Sequence, residues 1–131
     1  MHEIKVSSRS RNELIDITDD VYKAAAASEV VDGLCVVFVP HTTAAVTINE
    51  GADPAVQSDV LAELDKVIPW KDGYAHGEGN SAAHIKASLF GSSVTILVND
   101  GHLVLGTWQA IYFCEFDGPR ERKAYIKIMA Y

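Results

Sequence analysis

The C-terminal third constrains the fold most. Four strand-length apolar runs, Val94–Val98, Leu103–Leu105, Ala110–Phe116 and Lys123–Met129, follow one another with only brief breaks. Asn99-Asp100-Gly101 and Asp117-Gly118-Pro119 supply turn chemistry, and Gly106-Thr107-Trp108-Gln109 makes the third break. A parallel pair needs a crossover of about a dozen residues, so links this short predict antiparallel pairing. The last run alternates, with Ala124, Ile126 and Ile128 on one face and Lys123, Tyr125 and Lys127 on the other. That period belongs to a strand with one buried face.

The N-terminal part adds strands and helices. Glu3–Ser8 reads as a short strand through Ile4 and Val6, and Leu14–Ile17 continues extended. Thr18-Asp19-Asp20 predicts a helix running to Ser28, with a hydroxyl cap and two carboxylates at the positive end of the helix dipole. Leu34–Val39 is an unbroken apolar run, which predicts a central strand buried on both faces. Pro40 ends it. Ala44, Val46 and Ile48 then alternate with Ala45 and Thr47 as a further strand.

Asp53-Pro54 opens a second helix, because proline at the first helical position loses no hydrogen bond. Val56, Val60, Leu61, Leu64, Val67 and Ile68 repeat at three- and four-residue intervals until Pro69. Trp70–Gly79 is a loop, and Asn80-Ser81 caps a third helix that Gly91 ends. The sum is one α+β domain over residues 1–131, with about seven strands in a mainly antiparallel or mixed sheet and two or three helices packed on it.

Charge narrows the partners. A net charge of -7 opposes phosphate-rich surfaces, which argues against nucleic acid and anionic membranes while leaving room for a local basic pocket. No apolar run reaches the roughly 20 residues of a spanning helix. Met-His-Glu-Ile-Lys lacks a secretory apolar region, so a soluble cytoplasmic protein is expected. Cys35 and Cys114 lie in apolar runs and read as buried thiols rather than a disulfide framework.

The candidate chemistry centres on histidine. His41 follows an apolar run, His76 lies in the loop, and His84 shares a helix stripe with Ser81 and Ser88 beside Ala82, Ile85 and Leu89. Three imidazoles meeting in a cleft would make an open site for zinc or another transition metal. No pair has the i, i+4 spacing, so separate surface or hydrogen-bonded histidines are the plainer reading of spacing alone. Glu78 sits between Gly77 and Gly79, where a flexible backbone allows close approach to a ligand. Asn49, Glu50 and Asp53 lie beyond the other end of the strand from His41; Asp53 reads as a helix cap first and an acid–base group second. Gln109 beside Trp108 is either a site amide or the rim of a core tryptophan. Arg120 and Arg122 lie beside the Asp117–Pro119 turn, where guanidinium groups hold phosphate or carboxylate or are simply solvated.

Several of these stretches together resemble the YjbQ-like family. They are His41-Thr-Thr-Ala, Asn49-Glu50 with Asp53-Pro54, and Tyr74-x-His76-x-Glu78-Gly79-Asn80-x-x-Ala83-His84-Ile85-Lys86. Ser93–Ile111, with Gly101 and Gly106-Thr107-Trp108-Gln109, and Tyr112-Phe-Cys-Glu-Phe-Asp-Gly-Pro-Arg120 complete the match across the chain. Ala45 departs from it, standing where many relatives have glycine.

The resemblance implies a compact α+β homotrimer. It also implies a secondary thiamine-phosphate synthase activity, joining a pyrimidine diphosphate to a thiazole phosphate with loss of pyrophosphate. On that basis His41, His76 and His84 bind a divalent metal, zinc or another transition metal, with Mg²⁺ as the alternative. Glu50, Asp53 and Glu78 are the catalytic candidates, and Asn49, Asn80, Gln109 and Arg120 bind a small phosphorylated metabolite. Two other functions fit the same residues: a zinc-type hydrolase of a small ester or amide with Glu50 or Glu78 as base, and a non-catalytic trimer that binds a metabolite.

Overall fold

The computed structural model describes residues 1–131. In chain order the elements are β1 (His2–Ser7), β2 (Glu13–Asp16), α1 (Thr18–Ser28), β3 (Gly33–Phe38), β4 (Ala44–Glu50) and α2 (Pro54–Val67). Then follow α3 (Ser81–Phe90), β5 (Ser93–Asn99), β6 (His102–Leu103), β7 (Gln109–Glu115) and β8 (Glu121–Ala130). The α+β class and antiparallel pairing hold. The strands divide into two sheets rather than one: β1-β8-β3-β5-β6 and β2-β7-β4. Every pairing is antiparallel.

Strand alternation sets the core. Cys35, Val37, Ile96, Val98, Ala124 and Ile126 point inward from the five-stranded sheet, and Ala44, Val46, Ile111 and Phe113 meet them from the other. Val21, Ala24 and Ala25 of α1 close this layer. Each large aliphatic or aromatic side chain buried here contributes about 1.5–3 kcal/mol. A second, smaller core lies behind the three-stranded sheet, where Ala45, Ala110, Tyr112 and Cys114 meet Ala83 and Ala87 of α3. Small residues on both sides let that helix lie close along β4.

Three local expectations change. The first concerns β3, which is central in its sheet but buried on one face only; Leu34 and Phe38 point outward, 39% and 43% exposed. No helix covers that side. Second, Thr18 does not cap α1: its hydroxyl accepts the Ile111 N–H (2.8 Å) and ties the helix to β7, while Asp16 Oδ1 accepts the Thr18 N–H at 2.9 Å. Third, α2 is capped by Asp53 as its sequence predicts, with Oδ1 accepting the Ala55 N–H at 2.9 Å, yet none of its residues is buried. No helix is long and apolar enough to cross a membrane.

Candidate functional site

Pro40 turns the chain between β3 and β4, leaving His41 at the mouth of the sheet. Because α3 lies against β4, His84 comes to face the same space. The two histidines wall a cavity of about 470 Å³ with Thr42, Ser88 and Ser92. His76 approaches His84 from the other side, with ring centres 5.4 Å apart and planes near perpendicular. That pair, with Tyr74 and Ser81, borders a second hollow. The Tyr74 hydroxyl donates to the Pro69 carbonyl at 2.7 Å, pinning the loop that carries His76. Glu78 Oε1 stands 3.9 Å from His76 Nε2. His84 is the residue both hollows share.

His41 is held differently. Its Nε2 accepts the backbone N–H of Lys123 at 3.1 Å, leaving Nδ1 as the nitrogen available to a ligand. Burial and the nearby Arg122 guanidinium push its pKa below the usual histidine value, so the ring is neutral at neutral pH.

Behind His41 lies a buried ion pair that sequence reasoning missed. Arg122 Nε donates to Glu115 Oε1 at 2.9 Å and Nη2 to Oε2 at 2.6 Å. Nη2 also reaches the Thr43 hydroxyl (2.8 Å), while Ser8 Oγ and the Asp117 N–H donate to the carboxylate. Burial alone would raise the Glu115 pKa, but the donors from Arg122, Ser8 and Asp117 outweigh it and hold the pKa below the usual carboxylate value. Arg122 is therefore not available to an anion. The signal in the sequence was Glu115, the one charged residue in the run Ala110–Phe116.

Arg120 remains about half exposed, with Nη2 3.2 Å from Asp117 Oδ2 and Nε donating to the Asp117 carbonyl. Asn80 begins α3 but does not cap it; Nδ2 donates to Asp117 Oδ2 at 2.9 Å. Its buried Oδ1 has no hydrogen-bond partner within the chain. Asn80, Asp117 and Arg120 thus form one cluster at the start of α3.

Asn49, Glu50, Asp53 and Gln109 gather at the opposite end of β4, where Glu50 pairs in register with Gln109. Seven strand residues separate that end from the histidines by about 20 Å. Each side chain there accepts from nearby backbone: Asn49 from Glu50 N–H, Glu50 from Ala52 N–H, Asp53 from Ala55 N–H and Gln109 from Gly106 N–H. A single chain therefore does not bring them to His41, His76 and His84.

No three His, Cys, Asp or Glu side chains gather as a ready metal cage. The ring-centre spacing of His76 and His84 is close to the roughly 5 Å that two imidazoles on one tetrahedral zinc would adopt with Zn–N near 2.0–2.1 Å. Cys35 and Cys114 are free and buried; burial raises the Cys35 pKa to about 11 and that of Cys114 further, so neither offers a thiolate.

Residues 2–131 match the family model described as UPF0047 protein YjbQ-like. UPF0047 protein MJ1081 of Methanocaldococcus jannaschii is 50% identical over 129 residues, covering 98% of this chain and 94% of that protein. UPF0047 protein YugU of Bacillus subtilis is 48% identical over 127 residues, covering 96% of each. Among solved structures, a yjbq/upf0047 family protein of Clostridium acetobutylicum superposes with a TM-score of 0.97 at 56% identity, covering 98% of this chain and 100% of that one. A YbjQ-like protein of unknown function from Sulfolobus solfataricus gives 0.96 at 34% identity, covering 99% and 96%.

Proposed function

The chain belongs to the YjbQ-like UPF0047 family, and we propose that it is a metal-assisted transferase of the thiamine-phosphate synthase type. It would join a pyrimidine diphosphate to a thiazole phosphate in the cytoplasm, with loss of pyrophosphate. The observation that carries this reading is the placement of His84 between His41 and His76, at the boundary of two adjoining hollows.

His76 and His84 would hold a divalent transition metal, with Glu78 near enough to join them. A cation held there would supply neutralisation of charge on the departing pyrophosphate. His41 presents Nδ1–H to a substrate oxygen, because Lys123 occupies its other nitrogen. Thr42 and Ser92 line the same cavity with hydroxyl donors suited to phosphate oxygens, whereas the Ser88 hydroxyl already donates to the His84 carbonyl at 2.9 Å. Arg120 provides a half-exposed guanidinium for a second phosphate, and Asn80 Oδ1 an unused acceptor for a ring amine.

A homotrimer is part of the proposal. Leu34, Phe38, Leu97 and Met129 form an exposed apolar face on the five-stranded sheet, of the kind that closes against another subunit. A catalytic role for Glu50 or Asp53, or a binding role for Asn49 or Gln109, requires a neighbouring subunit to bring them to the histidines. One observation favours a hydrolase instead: Glu78 lies beside His76, where a carboxylate can serve as base to a bound water.

The test is pyrophosphate release from the paired thiamine precursors, with a small ester assayed in parallel. Release that falls at least about tenfold in Arg120→Ala, with metal content unchanged, supports the transferase. Ester turnover without pyrophosphate release supports the hydrolase. Ligand-dependent thermal stabilisation without turnover of either supports a binding trimer.

A further inference from the structure

The geometry points to a second ligand site, a cleft of about 270 Å³ between α2 and the outer face of the three-stranded sheet, fitted to a neutral planar ring bearing a carboxamide or lactam edge. It shares no lining residue with either histidine hollow and does not rest on the transferase reading.

The cleft exists because α2 is propped off the sheet. At its N-terminal end, Gln57 Nε2 bonds the Tyr112 hydroxyl (2.8 Å) and the Glu50 carbonyl. Toward its C-terminal end, Asp65 accepts from the buried Lys86 ammonium at 2.6 Å. Between these props the apolar repeat of α2 faces the sheet without being buried by it. A dry cavity of about 150 Å³ already accommodates benzene. The larger volume here suits a substituted ring or a small bicycle.

The walls name the chemistry. Val56, Val60, Leu14 and Phe90 give apolar surface for a ring, and Phe90 is braced edge-on against Phe116, with centroids 5.3 Å apart. Three polar atoms on the lining side chains make no hydrogen bond within the chain: the Thr47 hydroxyl, Asn49 Nδ2 and Gln57 Oε1. Their partner groups, Asn49 Oδ1 and Gln57 Nε2, are already engaged. Free donors beside a free acceptor complement an edge that itself carries both, as a carboxamide or lactam does. No charged side chain lines the cleft, so a neutral ligand is favoured.

Benzamide is the probe, titrated into the full chain and followed by backbone amide NMR, with benzoate and toluene as controls. Shifts confined to α2, β2, β4, β7 and the last turn of α3 are expected, with millimolar affinity and at least about tenfold weaker binding of benzoate. Thr47→Val, which keeps shape and removes the hydroxyl, should weaken benzamide about fivefold, and Val60→Trp should abolish binding by filling the space. Shifts elsewhere, equal binding of benzoate, or unchanged binding by Val60→Trp would overturn the site. So would concentration-dependent self-association that covers Val60 and leaves the cleft unresponsive to benzamide, which would assign it to a second copy of the chain.

Discussion

The backbone N–H of Lys123 on β8 donates to Nε2 of His41, 82 residues earlier in the chain, at 3.1 Å. The β8 backbone thereby decides which imidazole nitrogen is left free. His41 is not a free ring at a loop tip.

Neutral His41 should therefore carry its proton on Nδ1. Long-range nitrogen–proton NMR of the metal-free protein should show a pyridine-like Nε2 and a pyrrole-like Nδ1. The reverse assignment would remove His41 as the donor described above.

The Glu115–Arg122 pair is buried on both sides, at 0% and 3% side-chain exposure. Breaking it with Glu115→Gln should cost about 3–5 kcal/mol in urea unfolding at neutral pH, because a guanidinium is left unpaired. The joint change Glu115→Leu with Arg122→Met should recover most of that loss. The pH dependence has a definite sign. The folded pKa of Glu115 lies below its unfolded value, so its stabilisation is present above about pH 4.5 and is lost as pH falls through the folded value. Wild-type stability should fall more steeply on acidification than that of Glu115→Gln. Parallel curves would contradict the pairing.

Lys86 is 2% exposed and its anionic partner Asp65 is 56% exposed. Asp65→Ala should destabilise the protein by roughly 2–4 kcal/mol, more than an exposed pair would, since the ammonium stays buried without its carboxylate. Adding Lys86→Met should reverse much of the effect. Chemical denaturation of the two variants decides it; a cost below about 0.5 kcal/mol for Asp65→Ala would mean the pair is not a prop for α2.

Both cysteines should be inert in the folded state. Burial disfavours their thiolates, so a disulfide reagent should react with neither until denaturant is added, and then with both. Rapid labelling of native Cys35 would show that β3 opens readily.

The fold was legible where pattern and turn chemistry agreed. Alternation in Lys123–Met129 and the turns at Asn99–Gly101 and Asp117–Pro119 led directly to the antiparallel strands, and Asp53-Pro54 to the start of α2. The division into two sheets was hidden, because alternation says which face is buried and not which strand is the neighbour. Leu34–Val39 shows the same limit: an unbroken apolar run looks alike whether its second face is covered by a helix or left open.

The site was half legible. The residue types of His41, His76 and His84 drew notice, but their adjacency depends on α3 lying along β4 through Ala45, Ala83 and Ala87. Glu50 and Asp53 belonged to the same motif stretch as His41, yet β4 holds them at its far end. Asn80 shows a cap position whose side chain serves elsewhere, since Asp117 is distant in sequence and close in space.

The most direct measurement is the metal content of tag-free protein, wild type against His84→Ala, by elemental analysis. Alanine is the best helix former, so the substitution leaves α3 intact. The account predicts about one transition-metal ion per chain in the wild type and its loss in the variant. No metal in either protein, with none taken up from added zinc, would contradict it.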